Sequence, residues 1–454
     1  MPDEARRTSG EGPDGVPVRG PGAPATNDGA AEVPAEAEGE GGARPPNGLG
    51  GPPTGFVAAL VAGAGRGLVP VLAIVSAFAV GALVIILSDR QALPLWPTDP
   101  LAALQISLET VVAAYAALLR GALGDPAAYV AAFASGDPAR IVAAFNPVSE
   151  SLLSATPLIF TGLAVALGFR SGLFNIGAEG QLYIGAMFAT FVGFAVTGLP
   201  VYVHLPLALA AGALGGALWG LIPGLLKART GAHEVITTIM LNYVSYRTID
   251  WILKQPFYQR EGRTDPISKI VESTAQLPPI IEGLRVHWGF LLGLAAALFV
   301  SWLLFRSTLG FEFRAVGLNP SAARYAGINI ARTLVLTMGI GGALAGLAGT
   351  AEILGANKTL TAGFSPGYGF DAIALALLGG SRPAGVVAAA LLFGALRAGA
   401  TPMQSATGIP IDLVVVIQAL VIMFVAAPAL VRAIYRIRAP EKAAVEGFSK
   451  GWGA

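Results

Sequence analysis

Runs of about twenty mostly apolar residues recur along this chain, each long enough to carry a helix across the roughly 30 Å core of a bilayer. A segment in lipid must satisfy its own backbone hydrogen bonds, which leaves helices and closed barrels. These runs are continuous and do not alternate over about ten residues as barrel strands do. The chain therefore reads as an all-α polytopic membrane protein. Charged residues are 13% of it, against about a quarter in soluble domains, so no soluble catalytic domain and no enzymatic activity are expected.

Ten membrane segments are expected, near Leu68–Leu87, Ser151–Phe169, Ala178–Thr197, Leu205–Leu226, Val235–Leu253, Val286–Phe305, Leu334–Leu354, Phe370–Gly380, Gly385–Gly399 and Ile411–Val431. The segment at 370–380 is too short to cross alone and reads as a half-helix. Leu101–Leu119, which carries Gln105 and Glu109, and Pro126–Pro147, broken at Asp137-Pro138, read as peripheral helices, though the first could span. Residues 1–54 hold four arginines against nine acids among Pro, Gly and Ala, a composition that cannot bury a core. They read as a disordered tail without a signal peptide's apolar region, so the first span is expected to remain as an anchor. The domain reading is then tail 1–54, anchor and peripheral helices 55–147, transmembrane domain 148–438 and C-terminal tail 439–454.

Lysines and arginines of the short loops at 227–229, 306–332 and 432–438 fall on one side, which places both termini in the cytoplasm. Against this, the loop Lys254–Arg285 lands outside with five basic residues and four acids.

Inside this apolar framework lies Gly172–Gly185, with one carboxylate (Glu179), two amides (Asn175, Gln181), two aromatics (Phe174, Tyr183) and four glycines. Polar groups at membrane depth survive mostly where they line a cavity, and a broken helix is tolerated there only beside protein or water. The stretch reads as a polar-lined break in a transport path. A second one, Ala362–Ala374, places Pro366 and three glycines before Asp371, flanked by Phe364, Tyr368 and Phe370. Asp371 suits either a plain first-turn cap or a pathway acid, and the aromatics suit either packing or stacking on a planar ring. Asn242 is a further candidate, with an interhelical hydrogen bond as the alternative. Gly172–Val244 and Gly363–Phe424 share an element order, Glu179 and Glu234 answering Asp371 and Asp412, as an inverted repeat would. An ion-coupled carrier using Glu179 or Asp371 is the competing reading.

The loop 306–332 opens with an apolar-flanked turn. Asn319-Pro320 then starts a short helix that Gly327 closes, with Ala322, Ala323 and Ala326 on it, shaped to fit a groove in a partner. There is no phosphate-binding Gly-x-x-x-x-Gly-Lys-Ser/Thr loop and no cysteine, and the three histidines have no metal-ligand spacing.

Four stretches together resemble one family: Thr161–Gly185, Glu234–Tyr243, Phe313–Arg324 and Gly369–Gly380. They are similar to the membrane permease subunit of bacterial ABC importers in the ribose, galactoside and branched-chain amino acid group. Within it they look most like the nucleoside and simple-sugar permeases that work with a lipoprotein receptor. The resemblance covers roughly residues 150–430. The polar breaks themselves point to a substrate pathway at Phe174, Asn175, Glu179, Gln181, Asn242, Tyr368, Phe370 and Asp371. The resemblance implies coupling to a separate ABC ATPase subunit through the loop around Arg314–Ile328, with Glu312, Arg314, Gly317, Asn319, Ala322, Ala323 and Gly327 as the expected coupling residues. The resemblance further implies that this chain binds no cofactor, ATP being held by that partner, that a second permease subunit completes the pore, that an extracytoplasmic substrate-binding lipoprotein delivers the substrate, and that the complex sits in the bacterial plasma membrane. Nothing transfers to the N-terminal tail or the 101–147 insert.

Overall fold

The computed structural model describes residues 56–436, and the tails expected at 1–54 and 439–454 lie outside the described residues. The chain divides into two units, Met1–Ala59 and Leu60–Ala454, and the second carries the fold. The described chain is α-helical, with only isolated β-bridges and no strand among the described residues. The helices are α1 (Phe56–Ser88), α2 (Pro100–Leu123), α3 (Pro126–Ser135), α4 (Pro138–Ala144), α5 (Asn146–Arg170), α6 (Ala178–Ala195), α7 (Val201–Thr230) and α8 (Glu234–Ile252). After the long loop come α9 (Gly289–Arg306), α10 (Thr308–Leu318), α11 (Pro320–Tyr325), α12 (Ile330–Ala351) with a π-helical turn at Glu352–Asn357, α13 (Tyr368–Leu378), α14 (Pro383–Thr407), α15 (Asp412–Ala426) and α16 (Pro428–Ile434).

Seven of these helices are long and apolar enough to cross a membrane, or eight if the bent pair α15–α16 is one span. The α6 and α8 helices have 18 and 19 residues but carry more polar groups, and α13 is the short half-helix expected. Leu101–Leu119 belongs to the 24-residue α2, which has the length and composition of a span and buries Val111, Ala114 and Leu118 on one side. Asp99, Asp125 and Asp137 each cap a helix that opens with proline, which fixes where α2, α3 and α4 start.

The core centres on α5, whose Leu158, Ile159, Leu163 and Leu167 are fully covered by α9, α12, α13 and α14. Ser149 Oγ at its start accepts from the amides of Arg285 and Val286, at 3.0 and 2.8 Å, pinning the 254–288 loop over that end. His204 bridges α7 to the same loop through Thr274 at 2.8 Å, and His287 is buried against Gly355 of the π turn; neither belongs to a metal-holding cluster among the described residues.

The α7 and α12 helices cross closely, with small residues replacing the hydrophobic drive that lipid cannot supply. Gly212, Gly216 and Gly220 face Gly342 and Gly346, and a Cβ on Gly216 would lie 2.6 Å from Gly346 Cα. Leucine at Gly346 is therefore expected to lower the thermal unfolding midpoint in detergent sharply, while leucine at the exposed Ala295 leaves it near wild type. Equal midpoints for the two variants would contradict this packing.

Candidate functional site

The two glycine-rich breaks meet inside the fold. Gly172 (φ 71°) and Gly367 (φ 95°) take backbone conformations that suit glycine, and each precedes the start of a helix. The α6 helix runs toward the Ser149 end of α5, bringing Gly193 against Val271 of the long loop. The α13 helix runs toward the opposite end, where Arg170 donates to the Ser381 and Gly380 carbonyls at 3.0 and 3.2 Å. Two oppositely directed helices thus start at one point, where Glu179 Oε2 accepts from the Gly369 amide at 2.6 Å. Each N-terminus carries a partial positive charge, and each first turn holds an acid, Glu179 or Asp371.

Neither acid stands free. Asp371 is ion-paired with Arg397 of α14, whose guanidinium also lies over the Tyr368 ring at 4.9 Å. An ion-coupled role would require one of them to exchange a proton or cation with the pathway, and both carboxylates already hold protein partners.

Beside this junction opens a cavity of about 400 Å³, within the roughly 300–1,000 Å³ usual for small-molecule sites. Its polar and aromatic lining is Glu179, Tyr183, Tyr246, Asp250, Ser365 and Phe370, and no lysine or arginine lines it. The Tyr183 ring meets Tyr246 edge-on at 4.9 Å and Phe364 at 4.7 Å. Asp250 pairs with Arg247 at 3.2 Å. Such a lining offers flat faces for a ring and acceptors for its N–H and O–H groups. It repels a phosphate.

Of the eight expected pathway residues, Glu179 and Phe370 line this cavity. Asn175, Gln181 and Asn242 are buried and hold the break in shape. Asn175 accepts from the Gly177 amide at 3.0 Å and donates to Gln181 at 3.1 Å. Asn242 accepts from the Gly180 amide at 2.8 Å and donates to the Ile176 carbonyl at 3.0 Å. Phe174 packs on Phe169 with centroids 5.1 Å apart, and Tyr368 is buried under Arg397. The sequence reading misses Tyr246, Asp250, Ser365 and Arg397. An arginine amid Gly385–Gly399 and an acid near the end of α8 were the available signals.

The loop at 306–332 holds two helices, because its opening is the eleven-residue α10 and not a turn; Ser307 caps it by accepting from the Gly310 amide at 3.0 Å. Asn319 caps α11 through the Ala322 amide at 3.0 Å. Gly317 sits against the start of the first break, where a Cβ on Gly172 would lie 3.2 Å from Gly317 Cα. Arg314 lies over Phe305 at 5.5 Å, Glu312 is half-buried, and Ala322 and Gly327 are exposed. Ala323 is only 3% exposed and packs into its own chain, so it cannot offer itself to a partner. The protruding groups are Leu318 and Tyr325, 87% and 95% exposed.

Among known proteins, the family described as branched-chain amino acid transport system / permease component matches residues 148–426. The guanosine ABC transporter permease protein NupP of Bacillus subtilis is 39% identical over 370 residues, 80% of this chain and 94% of that protein. The nucleoside ABC transporter permease protein NupB of Lactococcus lactis is 35% identical over 66% of this chain and 83% of its own. The glucose ABC transporter permease protein TsgB13 of Haloferax volcanii is 40% identical over 61% and 75%. No solved structure matches.

Proposed function

This chain belongs to the branched-chain amino acid transport system / permease component family, and we propose that it is the permease subunit of an ABC importer that carries nucleosides or related simple sugars. The observation that carries this reading is the cavity at the meeting of the α6 and α13 N-termini, aromatic and acidic with no lining cation. A neutral ring with hydroxyl and N–H donors suits it. Relatives named for guanosine, nucleosides and glucose support the same class. Two guanosine permeases of one organism, NupP and NupQ, are both similar to this chain, which supports a sister permease as pore partner.

A separate ATPase subunit then docks on Leu318 and Tyr325. Its movement reaches the first break through Gly317 against Gly172 and the α13–α14 turn through Arg170. An extracytoplasmic lipoprotein delivers substrate at the Ser149 end, and, with α1 crossing and α2 lying on that outer side without crossing, both termini face the cytoplasm of a bacterial plasma membrane. Aspartate at Leu318 or Tyr325 is expected to stop uptake with the protein still folded and in the membrane. Unchanged uptake in the double variant would remove this surface from coupling.

The direct test is uptake of labelled uridine in cells with and without the gene, competed by adenosine, inosine, ribose and galactose. Gene-dependent uptake competed by nucleosides alone is the expected result. Competition by free sugars alone would move the protein to sugars and rule out ring stacking as the basis of recognition. No dependence on the gene for any of these substrates would defeat the permease reading.

A further inference from the structure

Three arginines gather at the Arg170 end of α5, away from the cavity. The guanidiniums of Arg170 and Arg314 lie 5.9 and 5.5 Å from the centroid of one ring, Phe305. Arg170 shares that ring with Arg314, and its donors reach the Gly380 and Ser381 carbonyls immediately before Arg382. Among the described residues none of the three has a carboxylate partner. Like charges held together without a counter-ion raise the free energy of the fold until an anion joins them. Arg170 uses its Nε and Nη2 on the α13–α14 turn, Arg314 uses only its Nε, on the Gly310 carbonyl, and Arg382 makes no side-chain hydrogen bond among the described residues.

Leading up to this cluster on α9 is a stripe of exposed aromatics, Phe299, Trp302 and Phe305, spaced by three residues. Phe299 and Trp302 lie 6.1 Å apart, and the helix that bears them is long and apolar enough to span.

We propose that this is a binding site for an anionic phospholipid, its phosphate held by Arg170, Arg314 and Arg382 and an acyl chain laid along Phe299 and Trp302. Guanidinium forks match phosphate geometry, and basic pockets between helices at a membrane face take anionic headgroups. An acidic protein surface would match the charge but not the aromatic stripe, which lies within the apolar span.

The test is native mass spectrometry of the full-length chain released from nanodiscs holding equal phosphatidylglycerol and phosphatidylcholine. Wild type should retain phosphatidylglycerol preferentially, and each arginine removed should lower that preference about fivefold. Arg382→Ala reads this most directly, since the side chain is exposed and makes no hydrogen bond or ion pair among the described residues. Trp302→Ala should lower retention too, whereas Arg229→Ala, a basic residue elsewhere, should not. Equal retention of both lipids by wild type would overturn the proposal, as would a preference untouched by Arg382→Ala combined with Arg314→Ala. A loss with Arg382→Ala but not with Trp302→Ala would also overturn it, assigning the cluster to a soluble phosphate-bearing ligand or an acidic protein.

Discussion

Alanine at Gly369 is expected to cut nucleoside uptake roughly tenfold or more while the protein still reaches the membrane. The Gly369 amide donates to Glu179 at 2.6 Å, and an added Cβ would lie 2.5 Å from Glu179 Cα and 2.7 Å from the Ala178 carbonyl carbon. Those atoms are backbone at the first turn of α6, so one helix must move off the other. Overpacking of this kind costs about 1–3 kcal/mol, and a tenfold effect corresponds to about 1.4. The movement falls where the cavity takes its lining from both helices. Alanine at Gly363 is the comparison: its φ of 67° is strained for alanine, yet nothing lies within 4 Å of the added atom. Transport by Gly363→Ala should exceed that by Gly369→Ala by several-fold. Equal transport by the two would mean that the approach of the breaks has no functional weight.

Methionine at Arg397 should have the second large effect. The change keeps much of the side-chain volume but leaves Asp371 in α13 without its counter-ion. An acid at the centre of a membrane helix costs about 2.5–3.5 kcal/mol on insertion-based scales, although this pair is partly exposed, which lessens the cost. The loss should appear as a lower unfolding midpoint and lower uptake. Asp371→Asn in the same chain should restore much of both, because it removes the unpaired charge and not merely a contact. Absence of rescue would show that Arg397 acts through Tyr368, whose ring it covers at 4.9 Å, or through another neighbour.

Much of this architecture was legible because bilayers restrict the choices. Long apolar runs mark helices, and eleven residues from Tyr368 to Leu378 are too few to cross. The breaks announced themselves by glycine, proline and a carboxylate in apolar surroundings. What those polar residues do was less legible. Asn175, Gln181 and Glu179 look alike as polar groups in a break, yet only Glu179 reaches the cavity, since Asn175 satisfies the Gly177 amide that the break frees and Gln181 bonds the Asn175 side chain. Arg397 and Asp371 lie 26 positions apart in sequence, and pairing at that distance depends on how α13 folds back on α14. Ala323 illustrates the same limit on a surface. A small residue on a short helix suits a partner's groove or its own chain equally well, and only the packing decides.

Substrate is expected to pass the cavity where the α6 and α13 N-termini meet. The chain has no cysteine, so a single one can be placed there without background. The measurement is the rate at which a small thiosulfonate labels Phe370→Cys, with and without uridine, beside Ile281→Cys at an exposed position in the 254–288 loop. Uridine should slow labelling at 370 and leave 281 unchanged. Labelling at 370 that is indifferent to uridine, in a variant still able to transport it, would place the path elsewhere.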